Sequence, residues 1–156
     1  MKTSDTPKNR AELETLLAAS SASASPAVAD SVAWPPRRMT AAELFDFWQR
    51  IRLVAMATVG PQGQPHLAPV HAVLEGSTLT VLVYEDAVRR RDLVTNARVA
   101  FTAWDHDGAV VVLYGRGEEV AGSLRSARSG ASGRERHVVE VRVSLTRVYG
   151  MTAKAQ

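Results

Sequence analysis

Between residues 53 and 149 the chain is cut into short apolar runs separated by turn-forming residues, and this punctuation most constrains its fold. Residues 53–59 are apolar on both faces and built largely from small side chains. Pro61-Gln62-Gly63-Gln64 then puts proline and glycine where a β-turn takes them. Residues 65–74 read as a second strand, turned by Glu75-Gly76-Ser77, and residues 79–84 as a third. Residues 99–104 make a fourth, Asp105-His106-Asp107-Gly108 its turn, and residues 109–120 a fifth. The last, about residues 137–149, alternates Val139, Val141, Val143 and Leu145 with Glu140, Arg142, Ser144 and Thr146, so one face is wet. The single helical link spans residues 87–96, with Asp86 as its expected cap. Residues 122–136 lack an apolar period and read as an exposed loop. Six strands joined mostly by tight turns predict a mainly β, antiparallel barrel or sandwich. Both faces of the first and fifth strands are apolar, more than one small barrel buries, so a partner subunit is the expected cover.

The first third is organised differently. Residues 10–19 carry Leu13, Leu16 and Leu17 on one side, as a short helix does. The Ala/Ser stretch at residues 20–25, ending at Pro26, reads as a flexible linker, and Trp34-Pro35-Pro36 as a rigid extended segment. Thr40 with Glu43 has capping-box spacing, and Leu44, Phe45, Phe47 and Trp48 give the helix over residues 41–50 an aromatic face. The expected organisation is a helix and flexible extension over residues 1–39, a barrel domain over 40–150 and a tail over 151–156.

Composition narrows the classes. A chain of 156 residues with 46% hydrophobic and 22% charged residues suits one globular domain. With no cysteine there is no disulfide framework, thiolate metal site or cysteine nucleophile. No apolar run reaches the roughly 20 residues of a membrane helix, and Glu12 and Glu14 interrupt the only candidate leader. A cytoplasmic protein is the expectation. The net charge of +3 is too weak a field to argue for nucleic acid. Lys2, Lys8 and Lys154 are the only lysines, so arginine is the interior cation for any anionic ligand.

Five segments in order resemble the pyridoxamine 5′-phosphate oxidase-like family, the FMN-binding split barrels. Leu53-Val54-Ala55-Met56-Ala57-Thr58-Val59 is similar to the family's first strand, and Gly63-Gln64-Pro65-His66-Leu67-Ala68-Pro69-Val70 to its G-x-P-x-x-x-P-V strand. Asn96-Ala97-Arg98-Val99-Ala100 is similar to N-P-R-V-A, Trp104 falls where many relatives carry Trp, and Gly115-Arg116-Gly117-Glu118 is similar to G-x-A-E. The resemblance covers about two thirds of the chain and implies a six-stranded Greek-key split β-barrel with a few helices. It further implies a homodimer holding FMN at its interface, with oxidoreductase activity on a small molecule.

By that resemblance Arg89 occupies the phosphate-binding position, with Arg90 in support, and Ala68, Pro69, Val70 and His71 line the ring. Val83 stands where relatives place a threonine, and Tyr84 and Trp104 are candidates to stack on a flat cofactor. His71 is also the candidate proton donor. The chain departs from the oxidases proper at Ala68, Val73, Val83, Ala87 and Ala109-Val110, each lacking a donor, and the C-terminal Arg-x-His segment is absent. Pyridoxal phosphate synthesis is therefore not expected. The alternative is a split barrel that binds another cofactor, deazaflavin F420 or haem, or none. His66 and His71, five apart on one strand, face opposite ways, and with His106 and His137 they give no expected metal site. No nucleophile elbow supports a hydrolase, and Arg125, Arg128, Arg134 and Arg136 have no aromatic platform for nucleic acid, so a solvated loop is favoured.

Overall fold

The computed structural model describes residues 1–153. Three helices come first: α1 (Pro7–Ala22), α2 (Pro26–Ser31) and, after a 3-10 turn at Pro35–Arg37, α3 (Ala41–Arg50). The strands are β1 (Val54–Val59), β2 (Pro65–Val70), β3 (Ala72–Glu75), β4 (Thr78–Tyr84), β5 (Arg98–Trp104), β6 (Val110–Glu119), β7 (Arg125–Arg128) and β8 (Glu135–Met151). One further helix, α4 (Val88–Thr95), links β4 to β5. The order β2-β1-β5-β6-β8-β4-β3, with β7 on β8, makes a single curled antiparallel sheet, the split barrel.

The sheet has eight strands where six were expected. Residues 65–74 do not form one strand. The run breaks at His71: Val70 pairs with Val54 of β1, while Ala72 pairs with Val81 of β4, so one stretch of chain serves both ends of the sheet. The second extra strand lies in the expected exposed loop, where Arg125–Arg128 pairs with β8, which itself begins at Glu135 rather than His137. Its Arg-Ser-Ala-Arg sequence carries no apolar period because it is a short, charged strand with little to bury. At the register shift between Tyr114 and Gly115, a Cβ on Gly115 would stand 2.6 Å from the Ser144 carbonyl oxygen, so the strands approach there as only glycine allows.

The core follows strand alternation. Leu79, Val81 and Val83 of β4 meet Val139, Val141 and Val143 of β8 together with Phe101 and Leu113. Thr40 and Glu43 form the expected capping box, and α3 buries Leu44, Phe45, Phe47 and Trp48 against the barrel. The Trp48 indole donates to the Ala72 carbonyl at 3.1 Å, tying α3 to the start of β3.

The expected linker at residues 20–25 is instead the last turn of α1, Ser23 at its C-cap and the approach to α2. Alanine favours helix, and Ser20, only 2% exposed, has a packing role that no apolar period reveals. Its hydroxyl accepts the Val148 N–H at 2.9 Å, while Leu13 and Leu17 enter the core. The expected tail at 151–156 begins with Met151 still in β8, and residues 154–156 lie outside the described residues.

Two polar contacts fix α4. Asp86 is not its cap: it pairs with Arg136 at 2.6 Å, and Ala87 takes the N-cap position. Asp92, 2% exposed, accepts from the Thr58 hydroxyl at 2.6 Å and meets His66 Nδ1 at 2.7 Å, which binds the helix to β1 and β2. Burial pushes the Asp92 carboxyl up, but the Thr58 and His66 hydrogen bonds and the nearby charges of His66 and Arg91 together hold it below its ordinary value.

Two expected outcomes test these ties. Ser20→Ala leaves the buried Val148 N–H without its acceptor and should cost about 1–3 kcal/mol in urea unfolding. An Asp with a lowered folded-state pKa adds stability that is complete above the unfolded value, about 3.9, and is lost as pH falls through the folded one. Asp92→Asn should therefore lower stability at neutral pH and flatten its acid decline, measured by unfolding between pH 2 and pH 7; an unchanged acid limb would refute the tie.

Candidate functional site

Strand alternation sends Thr80, Leu82 and Tyr84 of β4 to the face opposite the core, where they floor a groove of about 700 Å3. The groove crosses the outer side of β3, β4, β8 and β7, a size suited to a small-molecule ligand. At one side the break between β2 and β3 supplies Pro69, Val70 and His71. At the other stand Arg89, from the first turn of α4, and Arg125 and Arg128 of β7.

Arg89 is the most telling of these side chains. Its Nε is buried and has no hydrogen-bond partner among the described residues. Burying an unpaired donor is costly, and a charge-assisted acceptor relieves that cost. The helix start beside it has no side-chain cap, because Ala87 has no oxygen to offer, so first-turn N–H groups also lack that partner. An anion placed there meets both. The groove thus pairs a cationic end with an apolar floor, and these residues fit a flat molecule carrying a phosphate.

Of the residues expected to form one site, Pro69, Val70, His71, Tyr84 and Arg89 share this groove. The other four lie elsewhere. Val83 is fully buried in the core, since β4 alternation gives its outer face to Leu82 and Tyr84. Arg90 lines a separate groove between α4 and β6, where its guanidinium holds both Glu119 oxygens at 2.8 and 3.0 Å. That hydrogen bond, with the Arg90 charge, draws the Glu119 carboxyl below its usual range despite some burial. Ala68 and Trp104 line a third hollow with Leu53 and Leu67, which meets the main groove at Pro69. Trp104 and Tyr84 do not end adjacent strands: β6 and β8 separate β5 from β4. Tyr84 has one neighbour already, the Arg136 guanidinium, 4.7 Å from its ring centre.

The two histidines of the 65–75 run face opposite ways. His66 turns inward to Asp92, whereas His71 sits in the break and lines the groove. Among the described residues no group of three His, Asp or Glu side chains converges as a metal site. No helix among them is long and apolar enough to cross a membrane. Two features escaped the sequence reading. The Thr58–Asp92–His66 contact joins residues 34 and 26 apart, with no local pattern to betray it. Arg125 and Arg128 sat in an expected loop, and only their spacing within a Gly/Ser-rich stretch marked them.

Residues 40–150 match the family model described as pyridoxamine 5′-phosphate oxidase. Among solved structures, a conserved hypothetical protein of Mycobacterium tuberculosis, Rv2991, is 22% identical with a TM-score of 0.60, over 75% of this chain and 87% of that one. The FAD binding protein of Mycobacterium smegmatis is also 22% identical, with a TM-score of 0.54 over 76% of this chain and 99% of that one. HutZ, the haem storage protein of Vibrio cholerae, is 14% identical, with a TM-score of 0.56 over 72% and 94% of the two chains. At these identities the likeness is one of fold. Comparison with curated proteins gives no match. A family match running from the α3 cap to the end of β8, on an eight-stranded split barrel, is decisive: the chain belongs to the pyridoxamine 5′-phosphate oxidase family.

Proposed function

We propose that this protein binds a flavin of the FMN type at the interface of a homodimer and acts as a small oxidoreductase on a small-molecule substrate. The observation that carries the reading is the buried, unpartnered Nε of Arg89 at the open end of a groove floored by Leu82 and Tyr84. Arg89 and the first-turn N–H groups of α4 hold the phosphate. Pro69, Val70 and Leu82 give the ring an apolar bed that excludes water, and His71 stands at its edge as a hydrogen-bond partner or proton donor. The bound flavin supplies the hydride chemistry, and the chain supplies binding, orientation and exclusion of solvent.

A second subunit is part of the reading. The outer face of β2, β1 and β5 leaves Leu67 at 72% and Trp104 at 67% exposed, with Leu53 nearby and also exposed. Large apolar side chains gathered on one sheet face are what a partner covers. The hollow under Trp104 joins the main groove at Pro69, so covering this face also walls the ligand.

A second reading has its own support: a split barrel that takes a deazaflavin or haem, or has lost redox chemistry. Pro69, Val70 and Leu82 offer no side-chain donor to a flavin's polar edge. The similar structures carry names as different as FAD binding and haem storage.

Titration of the purified protein with FMN, deazaflavin and haem, followed by absorption and fluorescence, separates the readings. FMN should bind. Arg89→Ala should weaken it by about 1.5–3 kcal/mol, roughly ten- to a hundredfold in Kd. Haem or deazaflavin uptake without FMN uptake favours the second reading, and uptake of none of the three overturns the cofactor assignment. Trp104→Glu should convert the dimer to monomer in sedimentation velocity and weaken flavin binding with it; a wild-type monomer would refute the shared site.

A further inference from the structure

We infer that Arg125 and Arg128, carried on the β7–β8 hairpin, complete the anion site around Arg89 and make the groove selective for a phosphate monoester in its dianionic form. The inference rests on the flavin reading for the nature of the ring, though not for the anion.

The charge pattern carries it. Around the groove the carboxylates already have partners. Glu140, which lines it, faces Arg142 at 3.7 Å, and nearby Asp86 is held by Arg136. Glu135, paired across from Arg128 in the hairpin, takes the Ser126 hydroxyl instead. Among the described residues Arg89, Arg125, Arg128 and Lys2 form no ion pair, although all four line the same groove. Four like charges around one hollow repel each other, most strongly where water is excluded. A ligand anion is the missing counter-charge. A phosphate monoester carries close to two charges at neutral pH, and its three terminal oxygens accept from several guanidinium forks.

Strand register shows how the hairpin reaches the site. Val138 pairs with Tyr84 on one side and Arg125 on the other, so Arg125 lies two strand spacings, about 10 Å, from Tyr84. From there β7 runs parallel to β4, toward the end where β4 leads into α4, and Arg128 is its last residue. Arg128 therefore extends toward the α4 side, the end of the groove where Arg89 stands. This arrangement answers the donors missing at Ala87 and Val73. Their place is taken from a segment outside the five family-like pieces.

FMN and riboflavin, which share the ring and differ by the phosphate, are the discriminating probes. In wild type FMN should bind at least about tenfold more tightly than riboflavin, and the Arg125→Ala/Arg128→Ala double variant should cut that ratio by at least about tenfold. Riboflavin affinity and the far-UV spectrum should stay unchanged, and Arg125→Lys/Arg128→Lys should restore part of the ratio. A double variant that keeps the wild-type ratio overturns the inference and leaves the flavin reading standing. If neither flavin binds, the flavin reading fails, and inorganic phosphate decides the inference alone. A rise in Tm over chloride at matched ionic strength, present in wild type and lost in the double variant, upholds it. An equal rise in both, or none in either, overturns it.

Discussion

The break at His71 is the constraint on which the rest of the molecule depends. A single run from Pro65 to Glu75 pairs first with β1 and then with β4, so it belongs to both ends of the sheet. Were the run continuous, it could follow only one neighbour and the sheet would stay open. The switch fixes the curl and leaves Met56, Phe101, Leu113 and the β4 and β8 valines facing one another as the core. It also exposes Pro69, Val70 and His71 at a corner, beside the outer face of β4. Closure and groove therefore have one origin. The Trp48 hydrogen bond to the Ala72 carbonyl falls one residue past the break, where α3 can hold it.

The placement of α4 is the second consequence. An eight-residue helix with a weak apolar face has little reason to stay put. Asp92 supplies the reason, since its carboxylate takes both Thr58 of β1 and His66 of β2 from a nearly water-free position. Such a contact stays favourable only while the carboxylate keeps its partners, so it specifies position more than it adds stability. Anchoring the helix at its middle leaves its N-terminal turn, with Arg89, turned toward the groove.

Much of this was legible in the sequence, and the exceptions share a physical cause. Apolar runs bounded by turn residues mark β1, β4, β5 and β6, and alternation marks β8, since each strand buries one face on a period of two. The capping box at Thr40 is equally plain. What failed was whatever depends on partners far along the chain. Nothing in Pro65–Glu75 announces a change of neighbour, nothing in Arg-Ser-Ala-Arg announces a strand, and Ser20 looks like linker until Val148 is found beside it. For the candidate site the same rule holds. Arg89 and His71, marked by resemblance to the family's motifs, line the groove, while Val83 is buried in the core and Arg90 is engaged by Glu119.

The N-terminal helices explain why the open surfaces lie where they do. Tyr149 projects from β8 on the face opposite Val148, yet it is only 3% exposed, and the hollow beside it is lined by Val28 of α2 and by Val32. With α1 bonded to β8 through Ser20, the chain covers that flank of its own barrel. The flank carrying Leu67 and Trp104 receives no such cover and keeps its apolar side chains in water. In the proposed homodimer it is this bare flank that the second subunit covers. The bare flank meets the groove at Pro69, so whatever covers it also decides how deeply a ligand in the groove is buried. Burial in turn sets how strongly the arginines hold an anion, because the same charges act more strongly as water is removed. In the proposed dimer, assembly and ligand binding are then two readings of one surface.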